Sequence, residues 1–172
     1  SENITFDSLR EAVTKLKDVK IHVIGDTIVD SYTYCTVVGS GSKTPTMSLK
    51  YEYQHDYTGG AAIVAKHLAA AGAVVTFSTV LGDDPFSKMV LADLEKSGVR
   101  TLPIIDKSRP TTNKNFFIAQ NYRMIKVDKV DNRPISEKIL TKLSKQISEN
   151  ADQEIVMFSD FRHGIFSKST IP

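Results

Sequence analysis

The sequence predicts an α/β fold in which a mostly parallel sheet is covered by helices on both faces and a second, small β-sheet stands apart from it. Two observations carry this. Strands and helices alternate along most of the chain, and two hairpin-like stretches interrupt that alternation and do not fit a parallel sheet. A third observation sets the scale: 172 residues with 41% hydrophobic and 24% charged side chains suffice for one domain with a substantial core, and no low-complexity linker or solenoid repeat divides them.

The first periodic segment runs from Ser8 to Lys17, where Leu9, Ala12, Val13 and Leu16 keep one-face helical spacing and Ser8 with Glu11 reads as a capping box. Val19 to Asp26 alternates Val19, Ile21 and Val23 before an abrupt Gly-Asp ending, the pattern of a buried strand that opens onto a turn. Ser31 to Tyr57, rich in Thr, Val and Tyr, predicts two antiparallel strands around the loop GSGSKTP. The alanine-rich helix that follows begins at Gly59-Gly60 and stops at Gly72. Val74 to Leu81 is a strand; Asp84 caps the next helix, Pro85 suits its first turn, and Gly98 ends it before the strand VRTLPII. TTNKNFFIAQN and YRMIKVDKV predict a hairpin around Gln120 and Asn121. A helix from Ser136 to Ile147 turns Ile139, Leu140, Leu143 and Ile147 inward, and Glu154 to Asp160 is a last strand.

Composition narrows the function. Lys+Arg 22 against Asp+Glu 20 gives a formal charge of +2 without a basic run, so the electrostatic footprint of a nucleic-acid binder is missing and a small molecule is the expected partner. The single Cys35 excludes an internal disulfide and any cysteine-rich zinc site, and fits a reducing, cytoplasmic setting. No stretch approaches the ~18 apolar residues of a membrane span, so no membrane partner is expected. His22, His55, His67 and His163 are scattered without metal-ligand spacing, and no metal site is predicted.

Two glycine-containing motifs resemble nucleotide sites and fail. VVGSGSKTP lacks the glycine that a phosphate-binding loop needs before its lysine, since Ser42 precedes Lys43. GDTIVD is not the G-x-G-x-x-G of a dinucleotide fold. More informative are two sites where open α/β sheets bind ligands, at the carboxyl ends of strands. Asp26 and Asp30 follow the first strand, and a carboxylate accepts two hydrogen bonds in one plane, which suits a pair of sugar hydroxyls; the alternative is that Asp30 caps a turn. Gly59 and Gly60 let a ligand approach the backbone beside a helix N-terminus; the alternative is a tight turn into a packing helix.

In this order, GDTIVD and then TGGAAIVAKHLAAAGAVVTFSTVLGDD resemble the amino-terminal half of the ribokinase-type (pfkB-type) carbohydrate kinases, and the resemblance runs from about Val19 to the end. Within that family, RPTTNK (Arg109 to Lys114), KVD (Lys126 to Asp128) and SDFRHGIF (Ser159 to Phe166) look most like the heptose 7-phosphate kinase domain of the bifunctional heptose kinase and nucleotidyltransferase. The resemblance implies a ribokinase-like three-layer sandwich, with residues 1–172 as the amino-terminal part of one kinase domain and a β-lid from segments of about 31–57 and 111–128. It implies ATP-dependent phosphorylation of a sugar or sugar-phosphate hydroxyl. Asp30, Gly59 and Gly60 would bind the acceptor, Lys114 would sit near a substrate phosphate, and Asp160 would face the site from the last strand.

Three positions depart from the heptose-type pattern: Ile63 replaces asparagine, Phe116 replaces arginine and His163 replaces lysine. Loss of a guanidinium removes a bidentate phosphate contact, and apolar Ile63 and Phe116 suggest a less polar acceptor face; the alternative is that each fills core space. The family's catalytic base and most of its site for ATP and Mg2+ lie in a GAGD-like segment that these residues do not contain. The base is therefore expected beyond Pro172, the chain looks truncated after SKSTIP, and alone it is expected to be inactive; a fused nucleotidyltransferase is a further possibility. A rival reading is a non-catalytic sugar-binding module. Apolar and aromatic lid residues, among them Tyr32, Tyr34, Leu49, Tyr51, Phe117 and Ile125, predict a homodimer through the lid.

Overall fold

The computed structural model describes residues 4–40 and 46–167. Four parallel strands form the central sheet in the order β5-β4-β1-β8: β1 (Lys20–Gly25), β4 (Val74–Leu81), β5 (Arg100–Ile105) and β8 (Ile155–Ser159). The alternation read in β1 divides its side chains between two cores. Ile21 and Val23 join Phe77, Ala61, Ala65, Val90 and Leu94 beneath α2 (Ala61–Ala70) and α3 (Pro85–Lys96). Ile24 joins Val80 and Ile104 on the other face, where α4 (Glu137–Glu149) contributes Ile139 and Leu143. Burying each such side chain is worth roughly 1.5–3 kcal/mol, so the two clusters fix the three layers.

The second sheet has the order β3-β2-β6-β7, from β2 (Thr27–Ser40), β3 (Met47–Gly60), β6 (Thr112–Ala119) and β7 (Tyr122–Lys129). Both expected hairpins are there, the second turning at Gln120 and Asn121 with φ of 50° and 61°. They are joined by a parallel β2–β6 pairing, Asp30 opposite Lys114 and Tyr32 opposite Phe116. The first hairpin starts at Thr27 rather than Ser31, so the lid grows directly out of the end of β1. Thr58, Val29 and Asn113 lie on the face toward the core, while Tyr57, Asp30 and Lys114 lie on the other.

The amino-terminal helix departs from expectation. α1 (Phe6–Thr14) begins two residues early, because the Thr5 hydroxyl accepts the Ser8 N–H at 3.2 Å while Ser8 Oγ accepts the Thr5 N–H at 2.9 Å. Ser8 is thus the third helical residue of a Thr5/Ser8 capping box, not the cap of a Ser8/Glu11 box. The helix buries nothing: Leu9 and Val13 are exposed, and only Leu16 and Val19 beyond its end reach the core. The expected cap of α3 holds, with Asp84 Oδ1 accepting the Ser87 N–H at 3.0 Å. The loop with Ser42 and Lys43 and the end of SKSTIP lie outside the described residues.

Candidate functional site

The junction between sheet and lid is built on Asp26. Its side chain is buried, and its carboxylate accepts backbone N–H groups from Phe161 at 2.9 Å, His163 at 3.3 Å and Ile165 at 3.4 Å. Its carbonyl accepts the Ala61 N–H at 2.8 Å, the first of α2. Burial pushes the carboxyl pKa up, and the three N–H bonds oppose this. Gly60 completes the joint: at φ 62°, ψ −141° it holds a backbone conformation open to glycine, and a Cβ there would collide with the Asp26 carbonyl oxygen.

Asp30 is different. It lies half-buried inside β2, caps no turn, and accepts no hydrogen bond from the described residues. Burial raises its pKa; Lys114 and Lys126 counter that, and Asp128 adds to it. Tyr57, 56% exposed, pairs with it across the strands and meets Tyr32 edge-on at 5.8 Å. Gly59 lies against it, so that a Cβ there would stand 2.5 Å from Asp30 Oδ2. A carboxylate with spare acceptor capacity beside an exposed ring and a lysine is chemically suited to a hydroxyl-rich, partly apolar ligand.

The expected residues therefore separate. Asp30, Gly59 and Lys114 share one face of the lid, whereas Gly60 packs against the Asp26 carbonyl at the start of α2. Asp160 is exposed at the end of β8, where its Oδ1 accepts the Arg162 N–H at 2.7 Å, and it bears electrostatically on His163. Phe116 is on the Asp30 face, stacked on Tyr32 at 5.5 Å with the Arg123 guanidinium 4.7 Å from its ring centroid. Ile63 is not on that face. It lines a cavity of about 440 Å³ between β3, α2 and α3, with Asp56, Thr58, Lys66 and Met89.

Sequence reading missed Arg109 as an organiser. Its side chain and that of Asp106 are both 9% exposed and pair at 3.1 Å. It also donates to the carbonyls of Arg133 at 3.1 Å, Pro134 at 3.3 Å and His163 at 3.5 Å, tying three loops together at the sheet's carboxyl end. GDD has a comparable role: Asp84 Oδ2 accepts the Thr111 N–H at 2.8 Å and Gly82 N–H donates to Thr111 Oγ1 at 3.0 Å, anchoring the start of β6. A charged residue just before a strand was the available signal. Among the described residues no cluster of three or more His, Cys, Asp or Glu could hold a metal ion, and no helix is long and apolar enough to cross a membrane.

The family model for pfkB family carbohydrate kinases matches residues 18–167. The chain belongs to that family. Among curated relatives, this pfkB-family chain is 36% identical over 149 residues to the bifunctional protein HldE of Helicobacter pylori, covering 85% of this chain and 32% of the relative. It is 27% identical over 172 residues to HldE of Bradyrhizobium diazoefficiens, covering 98% and 34%. Its fold is similar to a carbohydrate kinase from Agrobacterium tumefaciens (TM-score 0.65, 16% identity, 81% of this chain and 45% of the other). It is also similar to phosphofructokinase-2 from Escherichia coli bound to fructose-6-phosphate (TM-score 0.61, 18% identity, 82% and 45%). The ribokinase-like fold is thus established. The chain spans about a third of the length of those curated relatives and under half of those solved kinases.

Proposed function

We propose that residues 1–172 are the amino-terminal part of a sugar-kinase domain and supply its acceptor-binding half and lid, for ATP-dependent phosphorylation of a sugar or sugar-phosphate hydroxyl. The observation that supports this is Asp30: a carboxylate in a pfkB-family chain, without a hydrogen-bond donor among the described residues, beside exposed Tyr57 and opposite Lys114. Its two oxygens would accept two hydroxyl protons and fix the ring's orientation, while the Tyr57 ring would cover an apolar sugar face. Closing the lid over the acceptor would exclude water that competes for the phosphoryl group.

Exposed Tyr51, Met47 and Ile125 on the lid support a two-fold pairing of lids, which we include in the proposal; light scattering should report a dimer that charged substitution at Tyr51 weakens. The kinase reading is tested by a thermal-shift screen of sugars and sugar phosphates. A ligand present at 100 times its Kd should add about 2.7 kcal/mol of stability. Stabilisation that Asp30→Ala removes supports the proposal, and no response from any sugar refutes it.

A further inference from the structure

The strand register sets out the lid face of Asp30 in rows. Asp30, Lys114 and Asp128 lie side by side across β2, β6 and β7, and Tyr32, Phe116 and Lys126 form the next row outward. Arg123, paired with Ile118, lies over that second row, its guanidinium carbon 4.7 Å from the Phe116 ring centroid and 5.9 Å from that of Tyr32. Two of the three cations face a carboxylate. Lys126 Nζ donates to Asp128 Oδ2 at 2.8 Å, and Lys114 stands opposite Asp30, where it is the first of the charges that oppose the rise in pKa caused by burial. Arg123 is exposed and has neither an ion pair nor a hydrogen bond among the described residues; the two rings are its contacts.

A guanidinium over an aromatic ring is held by the ring's face while its N–H donors stay in its own plane, and five donors in a fixed fork match the oxygens of a phosphate. We infer that Arg123 is a specificity-determining residue, an inference that rests on the kinase reading above: its guanidinium takes the phosphate of a sugar monophosphate whose hydroxyls lie at Asp30. Same-face residues of a strand are about 6.7 Å apart, so the row of Tyr32 and Phe116 stands roughly one sugar ring beyond Asp30. Tyr57 and Tyr32, edge to face at 5.8 Å, fill that interval with apolar surface against which ring carbons can lie. The charge that position 116 lacks is thereby supplied from the neighbouring strand, and Phe116 is part of the platform that holds it. The other cations of β7 are less suited: Lys126 is tied to Asp128, and Lys129 lies in the row of Asn113 on the opposite face.

The test is a set of NMR titrations of the full chain with D-fructose, D-mannose and the 6-phosphate of each, added separately. The Gly59 amide should report binding beside Asp30, and a 6-phosphate should bind about tenfold or more tightly than its parent sugar. Arg123→Gln should erase most of that ratio while the affinity for the parent sugar stays within about twofold, and Arg123→Lys, which keeps the charge but not the fork, should retain part of it. Lys129→Gln removes the same charge from the same strand on the opposite face and should leave the ratio unchanged, which separates a contact from a general field. Phosphates that bind no better than their parent sugars, a ratio that survives Arg123→Gln, or one that falls equally in Lys129→Gln removes the role of Arg123 alone. A Gly59 amide that none of these compounds moves removes the acceptor-site reading and this inference together.

Discussion

Asp26 and Asp30 belong to one six-residue motif, GDTIVD, and Gly59 and Gly60 are neighbours, yet each pair divides between two environments. Asp26 and Gly60 meet at the base of the lid, where the Asp26 carboxylate gathers three N–H groups and its carbonyl fills the space a Gly60 side chain would need. Asp30 and Gly59 meet one strand position further out, where the carboxylate has no hydrogen-bonded partner among the described residues and an added Cβ would collide with the tip of that side chain and no backbone atom. The first pair has its hydrogen bonds completed by the fold, which makes it structural. The second is left incomplete by the described fold, which is why we propose it for the ligand. Satisfaction of polar groups, more than residue type, separates scaffold from site.

Substitutions on either side test that division. Of the two glycines the larger effect is expected at Gly60→Ala, which combines backbone strain with a collision against backbone; a loss of about 3 kcal/mol should lower Tm by roughly 6–12 °C in circular dichroism. On the cleft side, Phe116→Arg places a guanidinium on the face of Asp30 and Lys114, and calorimetry should find affinity for a sugar phosphate raised by about tenfold relative to the unphosphorylated sugar. Equal effects on both would put Phe116 away from the ligand.

On the scaffold side, His22 is fully buried in β1, with Nε2 2.8 Å from Ser78 Oγ and Nδ1 without a partner among the described residues. Burial, then Arg100, lowers its pKa from 6.5. The unfolded chain therefore binds a proton that the folded chain refuses. Stability is full above pH 6.5 and falls as pH drops below it, by at most about 1.4 kcal/mol per pH unit for one group. Lowered His163 adds the same sign, whereas raised Asp26 and Asp30 act oppositely as pH rises past 3.8. Urea titrations of the native chain against His22→Leu between about pH 7 and 5 isolate the contribution of His22; parallel curves would show that it has none. The smallest effect on stability is expected at Gly59→Ala, under about 1 kcal/mol, because the Asp30 side chain can turn aside; sugar affinity should fall as it does.

The order and type of the elements were legible because local chemistry agreed with the fold: Asp84 and Pro85 started α3, Gly98 with φ 73° followed its end, and Gln120-Asn121 made the tight turn. The β2–β6 pairing was not, since it joins Asp30 to Lys114 across a separation that no periodicity encodes. Asp30, Gly59 and Lys114 were singled out through the family motif, and the structure brings them to one face of the lid. The structural work of Asp26 was not, because its partners Phe161, His163 and Ile165 are brought to it by the parallel β1–β8 pairing. What Ile63 faces was open for a related reason: residue type says that it is apolar, and only the packed position of α2 between β3 and α3 places it at the cavity with Asp56, Thr58 and Met89.

The division between scaffold and site is tested most directly by taking Asp26→Ala and Asp30→Ala through the same two measurements, thermal unfolding and calorimetric titration with the sugar that stabilises the native chain best. Asp26→Ala leaves three N–H groups, that of Ile165 buried, without their acceptor and should lose about 3 kcal/mol or more of stability. Asp30→Ala should unfold within about 1 kcal/mol of the native chain while its sugar affinity falls more than about tenfold, the cost of a lost charged hydrogen-bond partner. An Asp30→Ala chain that binds sugar as the native chain does, or that loses as much stability as Asp26→Ala, would contradict the assignment of Asp30 to the acceptor.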